Sequence, residues 1–258
     1  RVSFDIHAHE RLVLLGPSGC GKSTLLKAMA GFLHPVEGQM ILKDRVIEGP
    51  GPDRMMVFQE FDQLLPWKTV LHNVTYPMLV NGIGSAEARE RGLDALAKVN
   101  LSKFADVYPH MLSGGMKQRV GIVRALATSP QVLLMDEPFG ALDSQTRVVM
   151  QQILTNMWQQ FRISVLFITH DIEESIFLSD RVFVMTARPG RIKAEIPVPL
   201  PRPRTPEMTA TPEFIGMVQR LKVLIREESL AAMGSELKDG GLTGFSMAVG
   251  PQGVGELL

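Results

Sequence analysis

The 258-residue chain carries 27 Lys+Arg against 27 Asp+Glu, and this zero formal net charge argues against a protein whose main task is holding nucleic acid. Its single cysteine, Cys20, rules out an internal disulfide and fits a reducing compartment. Apolar residues make up 45%, enough for a sizeable core, while the longest apolar runs, such as Val165-Leu166-Phe167-Ile168, are strand-sized and far short of a membrane span; no signal peptide is legible.

In chain order, residues 2–6 and 11–15 read as two strands joined by a polar turn at His9-Glu10. The chain opens at Arg1, inside an expected strand and without an initiator Met, so the natural N-terminus is expected upstream. His7 and His9 would share a strand face, but with no third ligand nearby they read as solvated turn residues rather than a metal pair. Next comes Gly16-Pro17-Ser18-Gly19-Cys20-Gly21-Lys22-Ser23-Thr24, after the apolar run Leu12-Val13-Leu14-Leu15 and before a helical run that stops at Gly31. This is the G-x-x-x-x-G-K-[ST] pattern in its strand–loop–helix context. The glycines let successive N–H groups turn inward around a phosphate, and the helix N-terminus adds its positive dipole end. Lys22 can reach β- and γ-phosphates, and the Ser23 hydroxyl can hold Mg²⁺. Alone, the loop implies nucleoside triphosphate binding and nothing more.

Residues 39–47 read as a strand pair turning at Lys43-Asp44-Arg45, and residues 54–58 as a buried strand ending at Gln59. From 61 to 128 the texture is helical, with segments at 70–80, 85–99 and 116–127 forming an inserted lobe. Strands return at 132–135 and 165–169. Between them, 144–161 reads as an amphipathic helix with Val148, Val149, Ile153, Met157 and Phe161 on one side and Trp158 beside them as core. Residues 181–185 read as a strand, Arg188-Pro189-Gly190-Arg191 as a turn, 192–196 as an edge strand and 197–206 as a proline-rich connector. A helix opens at Thr211-Pro212-Glu213 and is expected to end near Glu228, leaving 229–258 as a loose glycine-rich tail.

Two further stretches carry chemistry. Val132-Leu133-Leu134-Met135-Asp136-Glu137-Pro138 is a buried strand with two carboxylates at its C-terminal end, where open α/β sheets hold ligands. Asp136 suits a hold on Mg²⁺, and Glu137 suits polarising an attacking water. Leu112-Ser113-Gly114-Gly115-Met116-Lys117-Gln118-Arg119 opens a helix at which Ser113 is a good N-cap and the glycines leave the amides open, an anion site with no anion of its own.

Together these residues resemble the ATP-binding subunit of an ABC transporter. Residues 16–24 are similar to its Walker A loop, 132–137 to Walker B, and 112–118 to the LSGGQ-type signature, with Met116 where Gln is commoner. Gln59 falls at the Q-loop position, Ala141-Leu142-Asp143 resembles the D-loop, and His170 closes a strand as the switch histidine does. The resemblance implies an α/β fold: a P-loop (RecA-like) core at 1–60 and 129–196, an N-terminal antiparallel β subdomain, the helical subdomain at about 61–128 and the C-terminal helix at about 211–228, all within an ATP-binding domain at 1–228. It implies a head-to-tail homodimer in which Ser113, Gly114 and Gly115 contact the γ-phosphate held by the other copy's Lys22. Glu137 would be the general base, with His170 and Gln59 sensing γ-phosphate and water, and Ser23, Gln59 and Asp136 holding Mg²⁺. The adenine-stacking aromatic of the family is expected upstream of Arg1.

Residues 25–111 between the P-loop and the signature hold no heptad array, and the residues read as one cassette without a run of membrane-span length, so the resemblance is expected to narrow to a separate importer subunit. Val57-Phe58-Gln59-Glu60-Phe61-Asp62-Gln63-Leu64-Leu65-Pro66-Trp67, Ala187 to Arg191 and Pro199 to Arg204 are similar to the nitrate/sulfonate/taurine/bicarbonate group. This implies a protein on the cytoplasmic face of the cell membrane, partnered by a permease and indirectly by a solute-binding protein, and not by nucleic acid. The apolar stretch 61–67 reads as lobe packing or as a groove for the permease, the latter favoured. The alternative function is a soluble ABC ATPase acting on nucleic acid or ribosomes.

Overall fold

The computed structural model describes residues 2–58, 63–140, 142–161 and 163–239. Its centre is a six-stranded sheet built from β1 (Arg11–Leu15), β4 (Arg54–Val57), β5 (Val132–Asp136), β6 (Ser164–Thr169), β7 (Arg181–Met185) and β8 (Ile192–Pro197), in the order β4-β5-β6-β1-β7-β8. The pairs β4/β5, β5/β6, β6/β1 and β1/β7 are parallel and β7/β8 is antiparallel. A parallel sheet is covered on both faces, which is why these strands are apolar runs rather than alternating ones. Val13, Leu15, Leu133, Met135, Val165 and Phe167 face one hydrophobic cluster. Leu12, Leu14, Leu134, Leu166 and Ile168 face the other, with Leu26 of α1 (Lys22–Met29).

The first cluster extends into the inserted lobe of α2 (Val70–Val80), α3 (Ser85–Lys98) and α4 (Gly114–Leu126). Two of these starts carry a side-chain cap: the Thr69 hydroxyl accepts from the His72 N–H at 3.3 Å, and the Ser113 hydroxyl accepts from Met116 N–H at 3.3 Å. The remaining elements are α5 (Ser144–Phe161), α6 (Ile172–Leu178), α7 (Pro212–Asp239) and the small hairpin of β2 (Ile41–Leu42) and β3 (Arg45–Val46). Lys43 and Asp44 both sit at positive φ, 46° and 62°, the turn geometry that matches hairpin twist.

Three expectations are corrected. Residues 2–6 are not a strand: Val2, Phe4 and Ile6 do lie half-buried with their neighbours out, and Phe4 packs edge-on against Phe183 at 5.4 Å, but the segment joins no ladder among the described residues. Period-2 burial reports an extended chain lying on a surface, not pairing. The N-terminal antiparallel part of the fold is formed, among the described residues, by the β2/β3 hairpin. On α5 the expected stripe is half right: Ile153, Met157 and Phe161 pack against the core, but Val148 and Val149 are exposed, and the most buried residues are Met150, Leu154, Met157 and Trp158, spaced i, i+4, i+7, i+8. Trp158 is core, with the Arg11 guanidinium 5.5 Å above its ring. Finally, α7 runs through 229–239, residues read as loose tail; Leu230, Ala231, Ala232, Glu236, Leu237 and Lys238 are good helix formers, and Gly234 alone is not enough to end the helix.

Candidate nucleotide site

β5, β6 and β1 are neighbours in the sheet, so three segments far apart in sequence begin side by side at its C-terminal edge: residues 136–137, His170 and the loop 16–24. Gly16 leaves β1 where a Cβ would lie only 3.1 Å from Met185 Cβ. Gly19 and Gly21 take φ of +72° and +106°, a region costly for other residues, and Gly21 precedes α1 without a side-chain cap. Among the described residues the N–H groups of 19–24 donate no hydrogen bond. A row of unpaired amides at a helix N-terminus is an anion cradle.

Lys22 is 6% exposed, and its Nζ donates to the Gly16 and Pro17 carbonyls, both at 2.8 Å, inside its own loop. The Ser23 hydroxyl donates to Asp136 Oδ1 at 3.1 Å. Burial pushes the Asp136 carboxyl up, Glu137 adds to this, and the Ser23 hydrogen bond and the two nearby lysines oppose it. Glu137 sits at φ +43°, in the left-handed region, and its N–H donates to the Ile168 carbonyl at 3.0 Å. That bond to β6 turns the side chain toward the end of the next strand, where Oε2 lies 3.0 Å from His170 Nδ1. His170 remains mostly exposed, so its ring is open to a ligand on the far side. The next residue, Asp171, caps α6 by accepting from Glu174 N–H at 3.0 Å and pairs with Arg147 at 3.3 Å, which fixes the backbone bearing the histidine.

The structure therefore brings together Lys22, Ser23, Asp136, Glu137 and His170. It does not bring Ser113, Gly114 and Gly115 to them: among the described residues no hydrogen bond joins the two groups. Ser113 is exposed, and Gly115 is packed so that a Cβ would lie 2.8 Å from Thr146 Cγ2. Gln59 and Ala141 lie outside the described residues; Leu142 is buried and Asp143 caps α5 by accepting from Thr146 N–H at 2.9 Å. His7 and His9 form a turn, and the described residues contain no cluster of three or more metal-ligating side chains. Reasoning from the sequence missed Arg188, whose Nε donates to the Gly19 carbonyl at 2.9 Å across 169 positions. The turn signal at 188–191 was visible, but nothing local says which loop it meets.

The family model for "ABC transporter" matches residues 1–140. The taurine import ATP-binding protein TauB of Rhizobium johnstonii is 48% identical over 231 residues, 87% of this chain and 87% of that protein. The nitrate import ATP-binding protein NrtD of a Synechocystis species is 42% identical over 231 residues, 87% and 86% of the two chains. Among solved structures, a dimeric post-hydrolysis ATP-binding cassette bound to ADP and Pi superposes with a TM-score of 0.67 at 32% identity, covering 76% of this chain and 89% of that one. With the phosphate cradle, the paired Ser23–Asp136 and Glu137–His170 contacts and these likenesses, the chain belongs to the ABC transporter family as one of its ATP-binding, ATP-hydrolysing subunits.

Proposed function

We propose that this chain energises solute import: two copies clamp ATP between them at the cytoplasmic face of a membrane and drive a separate permease fed by a solute-binding protein. The transported solute would be a small anion or zwitterion of the sulfonate, taurine or nitrate kind, a reading supported by the import proteins named above. No described helix is long and apolar enough to cross a membrane, so the solute pathway is assigned to the permease. Trp67, 71% exposed beside the buried Leu64, supports a permease contact there; Phe61 and Asp62 of that stretch lie outside the described residues.

The observation that carries the reading is the split site. Within one chain the cradle, Asp136, Glu137 and His170 converge, while the capped N-terminus of α4 stands apart with Ser113 exposed. A second copy, turned head to tail, would bring Ser113, Gly114 and Gly115 over the γ-phosphate. Lys22 would exchange its two loop carbonyls for β- and γ-phosphate oxygens. Glu137 would take the proton of the attacking water as general base, and His170, held by that same carboxylate, would hydrogen-bond the γ-phosphate. Ser23 and Asp136 present two hard oxygens already in contact, a donor set that fits Mg²⁺, with Gln59 as a third candidate outside the described residues. Bound there, the ion would supply charge neutralisation on the phosphates.

Glu137→Gln tests this. Turnover should fall by about 10²–10⁴-fold with ATP still bound, and the protein should run as a dimer on a sizing column in saturating ATP. A variant that stays monomeric there refutes the clamp.

A further inference from the structure

The loop between β7 and β8 has no part in the scheme above, yet it is built tightly. Thr186 N–H donates to the Arg191 carbonyl at 2.8 Å, Arg191 N–H to Thr186 Oγ1 at 2.9 Å, and Thr186 Oγ1 to the Pro189 carbonyl at 2.9 Å. The loop meets the phosphate cradle at two points. Arg188 Nε donates to Gly19 O, and its guanidinium lies over Gly19 so that a Cβ there would sit 3.3 Å from Nη2. Gly190 approaches so closely that a Cβ would lie 2.1 Å from the Cys20 carbonyl oxygen. On its other side the loop is tied to α7: Ala187 N–H donates to Glu228 Oε2 at 2.8 Å, and Glu228 also pairs with Lys193 of β8 at 2.7 Å.

We infer that Arg188 is a positioning residue of the nucleotide site and that Glu228 of α7 holds it in place. The physics lies in the peptide plane. In a trans peptide the carbonyl of Gly19 and the N–H of Cys20 point in opposite directions, so a bond that fixes Gly19 O toward Arg188 turns the Cys20 amide the other way, among the unpaired amides of the cradle. Among the described residues Arg188 has no carboxylate partner, so its charge is not cancelled beside a loop meant for a polyanion. Glu228 is mostly shielded in its place between Ala187 and Lys193, and through it the far end of the chain is coupled to the loop that receives ATP.

This inference rests on the reading of residues 16–24 as the ATP cradle, and the test separates the two. The probe is a fluorescent ATP analogue titrated onto the full chain, with steady-state ATPase kinetics alongside. Lys22→Ala is the reference: if it binds the analogue like the parent, the cradle reading itself fails. Given that loss, Arg188→Ala should raise Kd about 5–10-fold, and KM for ATP should rise by more than kcat falls. Arg188→Lys, which keeps a donor and the charge, should return Kd to within about twofold of the parent. Glu228→Gln should raise Kd about 2–3-fold, and the double variant Arg188→Ala/Glu228→Gln should bind no worse than Arg188→Ala alone. Unchanged affinity in Arg188→Ala overturns the inference, as does a failed rescue by lysine with kcat and melting temperature falling together. Additive effects in the double variant overturn the link to α7.

Discussion

Gly190→Ala isolates the seating of the 186–191 loop on the P-loop. Gly190 does not sit at a positive φ, so alanine brings no backbone strain of its own and the effect is purely steric. The new methyl would start 2.1 Å from Cys20 O and 3.3 Å from Cys20 C, both main-chain atoms with no flexible side chain to yield. Carbon and oxygen settle at roughly 3.2–3.5 Å, so the two loops must part by about 1 Å. The 186–191 loop is held by its own three bonds and by Glu228, which leaves the phosphate cradle as the part that moves. Overpacking of this kind costs about 1–3 kcal/mol. Where the cradle must regain its original shape to hold phosphate, that cost appears in affinity as a Kd raised roughly 5–150-fold. The assay is nucleotide titration by fluorescence, with a thermal melt alongside and Gly216→Ala as control. Gly216 lies inside α7 with open space where a Cβ would go, so alanine there should add about 0.5–1 kcal/mol of stability and leave Kd unchanged. Parental affinity and melting temperature in Gly190→Ala would refute the close seating of these loops.

Two other outcomes follow from single contacts. Ser113→Arg removes an exposed N-cap worth about 1 kcal/mol and puts bulk where a second copy is proposed to close. ATPase turnover should be lost while ATP binding to the single chain stays within about twofold; equal loss of both would place Ser113 in its own chain's site. Asp180 accepts from the Arg11 N–H at 2.9 Å and from Arg202 at 2.5 Å; burial alone would raise its carboxyl, but the Arg202 bond, the Arg11 amide and the two charges outweigh it and hold the group below its usual 3.8. The unfolded chain therefore binds the proton first, so this contribution is complete above about pH 4 and is lost as pH falls through the lower folded value. Melting temperature should drop less steeply below pH 4 in Asp180→Asn than in the parent, and parallel acid limbs would exclude the assignment.

The parts of the site that were legible are those where chemistry is local. Glycine spacing writes the turn at 16–24, the Ser113 hydroxyl writes the start of α4, and apolar runs write the buried strands. What could not be read is which runs lie side by side. Nothing in residues 132–136 says that β6 separates them from β1, yet that order is what puts Glu137 within 3.0 Å of His170 and Asp136 within 3.1 Å of Ser23. The same limit hid Arg188, whose partner is 169 positions away, and the phase of α5, where Val148 and Val149 are as apolar as Met150 and only packing decides which of them faces inward.

The sheet order also explains why the cradle is supported from both flanks. β1 lies between β6 and β7, so the loop leaving it has Asp136, Glu137 and His170 on one side and residues 186–191 on the other. Among the described residues Lys22 is the strongly basic group buried inside this frame, and it already has two carbonyl partners at 2.8 Å. A phosphate must compete with those bonds, which are worth roughly 1.5–3 kcal/mol each when the donor is charged. It can win only if the amides of 19–24 are aimed at it together, because no single one of them outweighs what the lysine gives up. Affinity for ATP is then a property of how well the loop is held, and the residues that hold it, Arg188 and Gly190, belong to it as much as the lysine does.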